Sequence, residues 1–294
     1  MYELNQVGEK SYYINCPAKI GIYKQNDTDV YLIDSGNDKD AGRRVRRILD
    51  EKGWKLKGII NTHSNADHIG GNKYLQNQTG CKIFAKGIEK AFTEHPILEP
   101  SFLYGGYPCK DLRHKFLLAD ASNVVDVEDE DFPSELEIID LKGHFFDMIG
   151  IRTPDDTVFL ADCVSSAFTL DKYQISFIYD IAEYLNTLDK IENMQAKMFV
   201  PAHADATADI STLAQLNRNK VVEIADKIQA DLKIPMCFEE LLKKIFDDYK
   251  LTMNFEQYVL VGSTVKSYLS YLKDNGKITA EFIENKLLWK VICE

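Results

Sequence analysis

The chain has 294 residues, with 35 Lys and Arg against 46 Asp and Glu, which gives a formal net charge of −11. Hydrophobic residues make up 45% of the chain, so it can bury an ordinary core and is not a disordered polymer. Its apolar runs are shorter than the roughly 20 residues that a transmembrane helix needs. The acidic balance disfavours nucleic acid as a partner.

The termini and cysteines indicate a cellular compartment. The first ten residues, MYELNQVGEK, lack the basic-then-apolar pattern of an export signal. The six cysteines are widely spaced and form no C-x-x-C pair. We therefore expect a cytoplasmic protein with reduced thiols and no membrane partner. A homo-oligomer is compatible with the sequence.

The first 207 residues alternate strand-like runs with helical patterns. A strand is predicted at Asp29–Asp34, where it ends in the turn signal Ser35-Gly36, and a helix is predicted at Asp40–Lys52. A second helix is predicted from about Tyr179 to Met194. The other predicted strands are Lys57–Thr62, Lys82–Ala85, Val124–Val127, Leu136–Leu141, Ile149–Thr153, Thr157–Ala161 and Lys197–Val200. Two β-rich halves with helices outside favour a layered α/β sandwich.

The pattern becomes helical from about Ile210. Helices are predicted at Leu213–Leu232, Cys237–Tyr249 and Glu256–Lys273, followed by a hairpin that turns at Glu284-Asn285. This succession predicts a small helical, winged-helix-like domain at residues 208–294, after a first domain at residues 1–207. From Ser211 onward 12 basic residues balance 12 acidic ones, so the excess negative charge lies in the first part.

The strongest functional signal is the segment 61–72, NTHSNADHIGGN. Imidazole nitrogen and carboxylate oxygen are the usual donors at catalytic zinc. Alternate side chains of an extended loop share one side, so we expect His63, Asn65 and Asp67 to converge. His68 would approach from the helix that follows, and Gly70-Gly71 would let the backbone pack tightly beneath the pocket. The segment therefore predicts a metal site.

Three more candidate ligands follow predicted strands. His144 comes after Leu136–Leu141, Asp162 after Thr157–Ala161, and His203 after Lys197–Val200. Side chains placed at strand ends are how a rigid sheet commonly holds a site. We therefore expect these three residues to join the histidines of the segment 61–72.

In order, residue type and spacing, these residues resemble the metallo-β-lactamase superfamily. That family carries H-x-H-x-D-H, then a glycine-preceded His, an Asp after a strand and a final His. The resemblance covers roughly Gly21 to His203 and implies a four-layer αββα sandwich with a one- or two-metal hydrolytic site between the sheets. It implies first-metal ligands His63 and His144, second-metal ligands Asp67, His68 and His203, the bridging ligand Asp162, and the strand-end Asp34, which braces the ligand loop through hydrogen bonds.

One position departs from the family pattern, because the second His of the motif is Asn65 here. An amide oxygen is neutral and a weaker donor to zinc than imidazole. We expect Asn65 to be a weak ligand or to contact a water molecule. We also expect a tight second metal and a first metal that is weak, absent or unusual. The expected metal is zinc, one or two ions per chain, and the same ligands would accept iron or manganese.

The leading hypothesis is a zinc-dependent hydrolase that activates water to cleave an ester, thioester, lactone or amide-like bond in a small molecule. Asp67 is the expected catalytic residue, which holds the metal and orients the water. One alternative is a metal-dependent phosphodiesterase or ribonuclease that grips nucleic acid with the C-terminal module, and the acidic balance counts against it. Another is a weakly active metal-binding module, because of Asn65.

Two features near the motif allow two interpretations each. Cys163 could enter the second metal's sphere, although a buried packing thiol is the simpler interpretation. The segment Tyr104–Pro108 combines two glycines with two tyrosines. It fits either a lid over the substrate or an ordinary connection.

Overall fold

The computed structural model describes residues 2–292. Its strands are β1 (Glu3–Gln6), β2 (Ser11–Asn15), β3 (Ile20–Lys24), β4 (Asp29–Ile33), β5 (Lys55–Ile60), β6 (Lys82–Ala85), β7 (Val125–Asp126), β8 (Glu137–Asp140), β9 (Ile149–Arg152), β10 (Thr157–Ser165), β11 (Met198–His203), β12 (Ile278–Ile283) and β13 (Lys286–Val291). Its helices are α1 (Lys39–Lys52), α2 (Ala66–Ile69), α3 (Asn72–Thr79), α4 (Glu89–Glu94), α5 (Leu98–Tyr104), α6 (Ala167–Tyr173), α7 (Ile181–Glu192), α8 (Ser211–Asp231), α9 (Phe238–Asp248) and α10 (Phe255–Asp274), with a 3₁₀ turn at Lys110–Leu112. Over this range, no helix is both long and apolar enough to cross a membrane.

Seven strands form the first sheet, in the order β1 to β7. The strands β1 to β4 pair as antiparallel neighbours, and β4 to β7 run parallel. One face of this sheet packs against α1 and α3, where Val45, Leu49 and Leu75 are fully buried beside Ile22, Leu32 and Ile59. The carboxyl ends of the parallel strands therefore lie at one edge, where open α/β sheets usually bind ligands.

The second sheet has the order β11-β10-β9-β8. Its inner face meets the inner face of the first sheet, where Phe159 and Ile151 pack with Ile33, Ile60 and Phe84. On its outer face, alternate residues of β10 such as Val158 and Leu160 pack into a cluster that also contains α7 and α8 residues. Alternate residues of β10 therefore pack into the core between the sheets and into the core beneath the outer helices. The αββα sandwich is confirmed.

The C-terminal residues continue the outer cluster. Leu241 of α9, together with Val265 and Leu272 of α10, belongs to the same buried cluster as Leu160 of the second sheet. The strands β12 and β13 pair as a hairpin that turns through Glu284 and Asn285, both with positive φ. The winged-helix comparison and the division of the chain at residues 207 and 208 remain predictions.

Three sequence-based placements need correction. Asp67 lies on α2 rather than in an extended loop, because the helix already begins at Ala66. Asp162 lies inside β10 rather than after it, at an interruption of the pairing with β11 where Ala161 has φ 49°. His203 is the last residue of β11. Local patterning placed the ends of β10 and β11 a few residues early, because it does not register which residues find a pairing partner.

Candidate metal centre

The ligand loop leaves the buried strand β5 at Ile60 and enters α2 at Ala66. His63 and His68 are both fully buried, and their ring centroids are 4.1 Å apart. His63 and Asp67 do not share one ligand cluster: His63 lies with His144 and Asp162, and Asp67 lies with His68, Asp162 and His203. A helical turn, and not alternation along an extended loop, places Asp67 beside His68.

The predicted ligands form two clusters that share Asp162. The first cluster consists of His63, His144 and Asp162, and the second of Asp67, His68, Asp162 and His203. Within each cluster one donor atom from every residue lies within 4.8 Å of the others. His68 Nε2 lies 3.0 Å from Asp162 Oδ1, and His203 Nε2 lies 3.1 Å from Asp162 Oδ2. The four histidines and two aspartates that the sequence singles out thus meet between the two sheets.

Asp34 connects the loop to the end of β4. Its carboxylate accepts hydrogen bonds from Thr62 N at 2.8 Å, from Thr62 Oγ1 at 2.7 Å and from His68 Nδ1 at 2.7 Å. Thr62 Oγ1 also lies 3.0 Å from His63 Nδ1. A proton on Nδ1 leaves Nε2 as the free donor of each imidazole, so this network turns the Nε2 atoms of both histidines toward the cluster. Asp34 itself has φ 63°, a backbone conformation in the left-handed region.

The centre is more open on the side of the second cluster. The side chain of Asp67 is 39% exposed and that of His203 is 25% exposed, whereas His68 is fully buried. His203 Nδ1 donates to the carbonyl of Pro17 at 3.0 Å, which leaves its Nε2 for the cluster. Solvent therefore reaches the centre past Asp67 and His203.

Electrostatics differ between the two clusters. Burial and the neighbouring His68 hold the pKa of His63 well below its usual value, and burial lowers the pKa of His144. Burial also acts to lower the pKa values of His68 and His203, but the nearby carboxylates, Asp162 above all, outweigh that effect. These carboxylates raise the pKa of His68 well above its usual value and that of His203 to about 10. The second cluster therefore attracts cations strongly, either protons or a metal ion.

The donor atoms fit a metal. Across residues 2–292, the buried polar atoms without a hydrogen-bond partner include His63 Nε2, His68 Nε2 and Asp162 Oδ1. With the His68 proton on Nδ1, His68 Nε2 and Asp162 Oδ1 are two acceptors 3.0 Å apart and cannot bond to each other. Buried polar atoms without partners are costly, so three of them on residues of the two clusters indicate a cation that completes them. Imidazole nitrogen with carboxylate oxygen is a donor set typical of catalytic zinc.

Comparison with known proteins agrees with this geometry. The family model of the metallo-beta-lactamase superfamily matches residues 16–203, which is more than half of the chain. The chain belongs to the metallo-beta-lactamase superfamily. The matched range ends at His203, the last residue of the second cluster.

The curated relatives of this superfamily member are distant or match short segments. A hydroxyacylglutathione hydrolase from Methylococcus capsulatus is 46% identical over 39 residues, which cover 13% of this chain and 15% of that protein. The Beta-lactamase-like protein 2 homolog of Drosophila melanogaster is 21% identical over 196 residues, 60% of this chain and 59% of that protein. In both cases the chain spans less than two thirds of the relative's length.

Solved structures of the superfamily share the fold over nearly the whole chain. A beta-lactamase domain protein from Burkholderia ambifaria has a TM-score of 0.73 at 14% identity, covering 99% of this chain and 94% of its own. A metallo-beta-lactamase family protein from Thermus thermophilus has a TM-score of 0.71 at 16% identity, covering 99% and 98%. At this identity the likeness shows the fold alone.

Sequence reasoning missed two buried glutamates that hold the loop. Glu89 of α4 accepts from Ser64 N at 3.0 Å, from Ser64 Oγ at 2.5 Å and from Asp147 N at 2.8 Å. It therefore joins the loop of His63 to the loop of His144. Glu99 of α5 accepts from Asn65 Nδ2 at 2.8 Å. Burial raises the pKa of Glu89 to about 7 and that of Glu99 well above its usual value.

The two glycines after the motif allow close backbone packing, as predicted from the sequence. A Cβ on Gly70 would lie 2.4 Å from the backbone carbon of Asn37, and one on Gly71 would lie 2.3 Å from the carbonyl oxygen of Ser35. Ser35 N in turn donates to His68 O at 2.8 Å. The turn after β4 therefore fits directly against α2, and a larger residue at either glycine would push the ligand helix away.

Cys163 lies in the core, and the segment Tyr104–Pro108 begins at the end of a helix. Cys163 is fully buried in the outer core, and its neighbours there include Leu160 and Tyr184. It is absent from both ligand clusters found among residues 2–292, so it packs as a core residue. Tyr104 ends α5, Gly105 caps that helix with φ 77°, and Tyr107 is exposed. The first part of the segment Tyr104–Pro108 is thus a helix end.

Proposed function

We propose that the protein is a metal-dependent hydrolase that cleaves a carbonyl bond in a small molecule, with zinc held by the second cluster. The observation that carries the proposal is the set of buried, unpartnered donor atoms around Asp162, which belongs to both clusters. We further propose that His63, His144 and the shared Asp162 would hold a second ion in the first cluster.

Zinc, when bound, supplies a Lewis acid that makes water nucleophilic near neutral pH and polarises a carbonyl. The residues of the chain must position the water and accept its proton. The Asp67 carboxylate points toward His203, with 3.5 Å between Asp67 Oδ2 and His203 Nε2. It is also open to solvent. We assign it the role of orienting the attacking water and accepting its proton, because it is the most exposed carboxylate of the two clusters.

The substrate would approach over Asp67 and His203, the two exposed members of the second cluster. His63 and His68 cannot touch a substrate directly because both are fully buried. Cys163 cannot replace water as the nucleophile, since burial raises the pKa of its thiol and it lies in the apolar core. Hydrolysis by water is therefore the reaction that these residues support.

Among carbonyl substrates we place thioesters first. Several curated proteins with matching segments are hydroxyacylglutathione hydrolases, including those of Methylococcus capsulatus and Pelagibacter ubique, the latter 37% identical over 62 residues. The matched segments cover only 15% and 26% of those proteins. The proposal of a thioester substrate therefore also rests on the reactivity of the thioester bond. A thioester carbonyl is open to attack by water without a strong leaving-group acid.

The test is turnover of a substrate panel by zinc-loaded protein. The panel contains an S-acyl glutathione, p-nitrophenyl acetate, a simple lactone, the β-lactam nitrocefin and bis(p-nitrophenyl) phosphate. We expect hydrolysis of the carbonyl compounds, with the thioester best. His68→Ala should lower the rate by more than the roughly 10–100-fold typical of losing an outer hydrogen-bond partner of a ligand. The exposed His95 gives the control His95→Ala, which should keep the wild-type rate.

Two results would contradict the proposal. One is metal-loaded protein that hydrolyses none of the carbonyl compounds, or only the phosphodiester. The other is an His68→Ala variant as active as the wild type, which would place the chemistry outside the second cluster.

A further inference from the structure

Asn65 stands where the superfamily motif has its second histidine, and its two amide atoms have different partners. Its Oδ1 lies 3.2 Å from His144 Nε2, the donor nitrogen of the first cluster. Its Nδ2 donates to Glu99 Oε1 at 2.8 Å. The amide oxygen therefore faces the first cluster, and the amide nitrogen faces away from it.

Glu99 fixes this orientation. An ionised carboxylate only accepts hydrogen bonds, so turning the Asn65 amide over against the ionised form of Glu99 would bring oxygen against oxygen. The reversed amide would also point its NH₂ group at His144 and the cations of the centre. With Glu99 ionised, only this orientation of the amide satisfies both neighbours.

The position of Glu99 is itself set by packing rather than by solvent. Its side chain is buried, with 6% of the residue exposed, and the N–H of Ala66 also faces its carboxyl group. On the same helix, Leu103 packs with Val259 of α10. The preceding Phe102 lies in edge contact with Tyr179, their ring centroids 5.6 Å apart. The helix α5 is thus held between the ligand loop and α10, which leaves Glu99 little freedom to move away.

We propose that Glu99 is a positioning residue that makes the Asn65 amide oxygen a protein ligand of the first cluster, and that this cluster prefers manganese over zinc more strongly than a histidine-rich site would. The inference rests on the proposed metal centre. The first cluster then offers two imidazoles, one amide oxygen and the shared carboxylate of Asp162. Replacing an imidazole by an oxygen donor shifts a site toward oxygen-preferring ions. The pair of residues 65 and 99 would therefore give a chain with two different metal positions.

The experiment measures how many ions bind and how tightly each binds, without relying on activity. Metal-free full-length protein is titrated with Mn²⁺, with free Mn²⁺ followed by electron paramagnetic resonance, and with Zn²⁺ in competition with a chromogenic chelator. We expect two ions per chain. Glu99→Leu should weaken the first position roughly 10–100-fold, the range found for loss of outer-shell support. Asn65→Ala removes the ligand itself and should weaken that position at least as much. Both variants should leave the second position unchanged.

Two conservative variants separate positioning from a general structural effect. Glu99→Gln keeps an oxygen that can accept from Asn65 Nδ2, so binding at the first position should stay close to the wild-type value. Asn65→His should tighten zinc relative to manganese at the first position. If Glu99→Leu does not fold, Glu99→Ala replaces it, since water can fill the space that the shorter side chain leaves.

The outcomes distinguish this inference from the proposed function. A wild-type chain that binds one ion only, or an Asn65→Ala variant that still binds two with unchanged constants, would overturn the inference and leave the second cluster intact. Glu99→Leu or Glu99→Ala variants that fold and bind like the wild type would refute the role of Glu99. A wild-type chain that binds no metal at either position would overturn the proposed function as well.

Discussion

Replacing Asp34 by Asn tests whether the carboxylate at the end of β4 tunes the metal centre. Asp34 is buried and accepts three hydrogen bonds, two from Thr62 and one from His68 Nδ1, all between 2.7 and 2.8 Å. Asn has nearly the same shape and tolerates the left-handed backbone at this position. The substitution therefore removes charge and one acceptor atom while sparing the fold of the turn.

The structure allows two orientations of the new amide, and each is costly. With its NH₂ toward His68, the ring must move its proton to Nε2, the atom that faces Asp162. With its NH₂ toward Thr62, a buried backbone N–H loses its acceptor. A hydrogen bond to a charged group contributes about 1.5–3 kcal/mol. Loss of such a partner of a metal-bound histidine lowers metal affinity about 10–100-fold, or roughly 1.4–2.7 kcal/mol.

The assay is the dissociation constant of the tighter zinc ion, measured by chelator competition at pH 7.5. The matched control is Asp155→Asn. Asp155 also accepts three hydrogen bonds, from Lys10 N, Ser11 Oγ and Thr153 Oγ1 at 2.6–2.7 Å, but belongs to neither ligand cluster. We expect both variants to unfold at lower urea and only Asp34→Asn to bind zinc more weakly. Unchanged zinc affinity in Asp34→Asn, or an equal loss in Asp155→Asn, would refute the reasoning.

Two further predictions concern the support of the ligand loops. Burial raises the pKa of Glu89 from 4.5 to about 7, so its contribution to the free energy of unfolding is fully present below pH 4.5 and is lost as pH rises through about 7, by up to about 3 kcal/mol. In urea unfolding of the metal-free protein, the free energy of unfolding of Glu89→Gln should lack this pH dependence. The control Glu94→Gln, which changes an exposed glutamate, should keep it. Equal pH profiles for the two variants would contradict the raised pKa of Glu89. A Cβ on Gly143 (φ 114°) would lie 2.2 Å from Tyr184 N, whereas a Cβ on Gly80 (φ 71°) would meet open space. Gly80→Ala should therefore cost only the roughly 1–2 kcal/mol of its left-handed backbone, and Gly143→Ala should cost clearly more. Similar losses for the two glycines would show that backbone conformation, and not the contact with α7, decides the cost.

The candidate metal ligands could be predicted from residue type and local order in the sequence. His63, Asp67 and His68 stand within six residues of one another, directly after a buried apolar strand. His144, Asp162 and His203 each lie near the end of a run whose β-branched and apolar composition marks a strand. Because parallel strands end at one edge, strand prediction already brings such residues together.

The segment between β6 and β7 shows where local reasoning fails. The helices α4 and α5 lie there, and each contributes a buried glutamate, Glu89 and Glu99, to the ligand loop. A glutamate in a helical stretch is normally a solvent-exposed residue, so residue type alone gives no reason to bury it. The weak signal available is position, since Glu99 stands between the apolar residues Leu98 and Pro100.

The sequence by itself therefore determined the layered fold, the family and the six residues that form the two clusters, since these depend on short-range periodicity and on a motif. Only the tertiary structure decided the orientation of Asn65, because its partners Glu99 and His144 lie 34 and 79 residues away along the chain. Hydrogen bonds across such separations form when whole elements pack together. Their geometry depends on the shape of the core between α5, α10 and the ligand loop, and no local pattern encodes that shape.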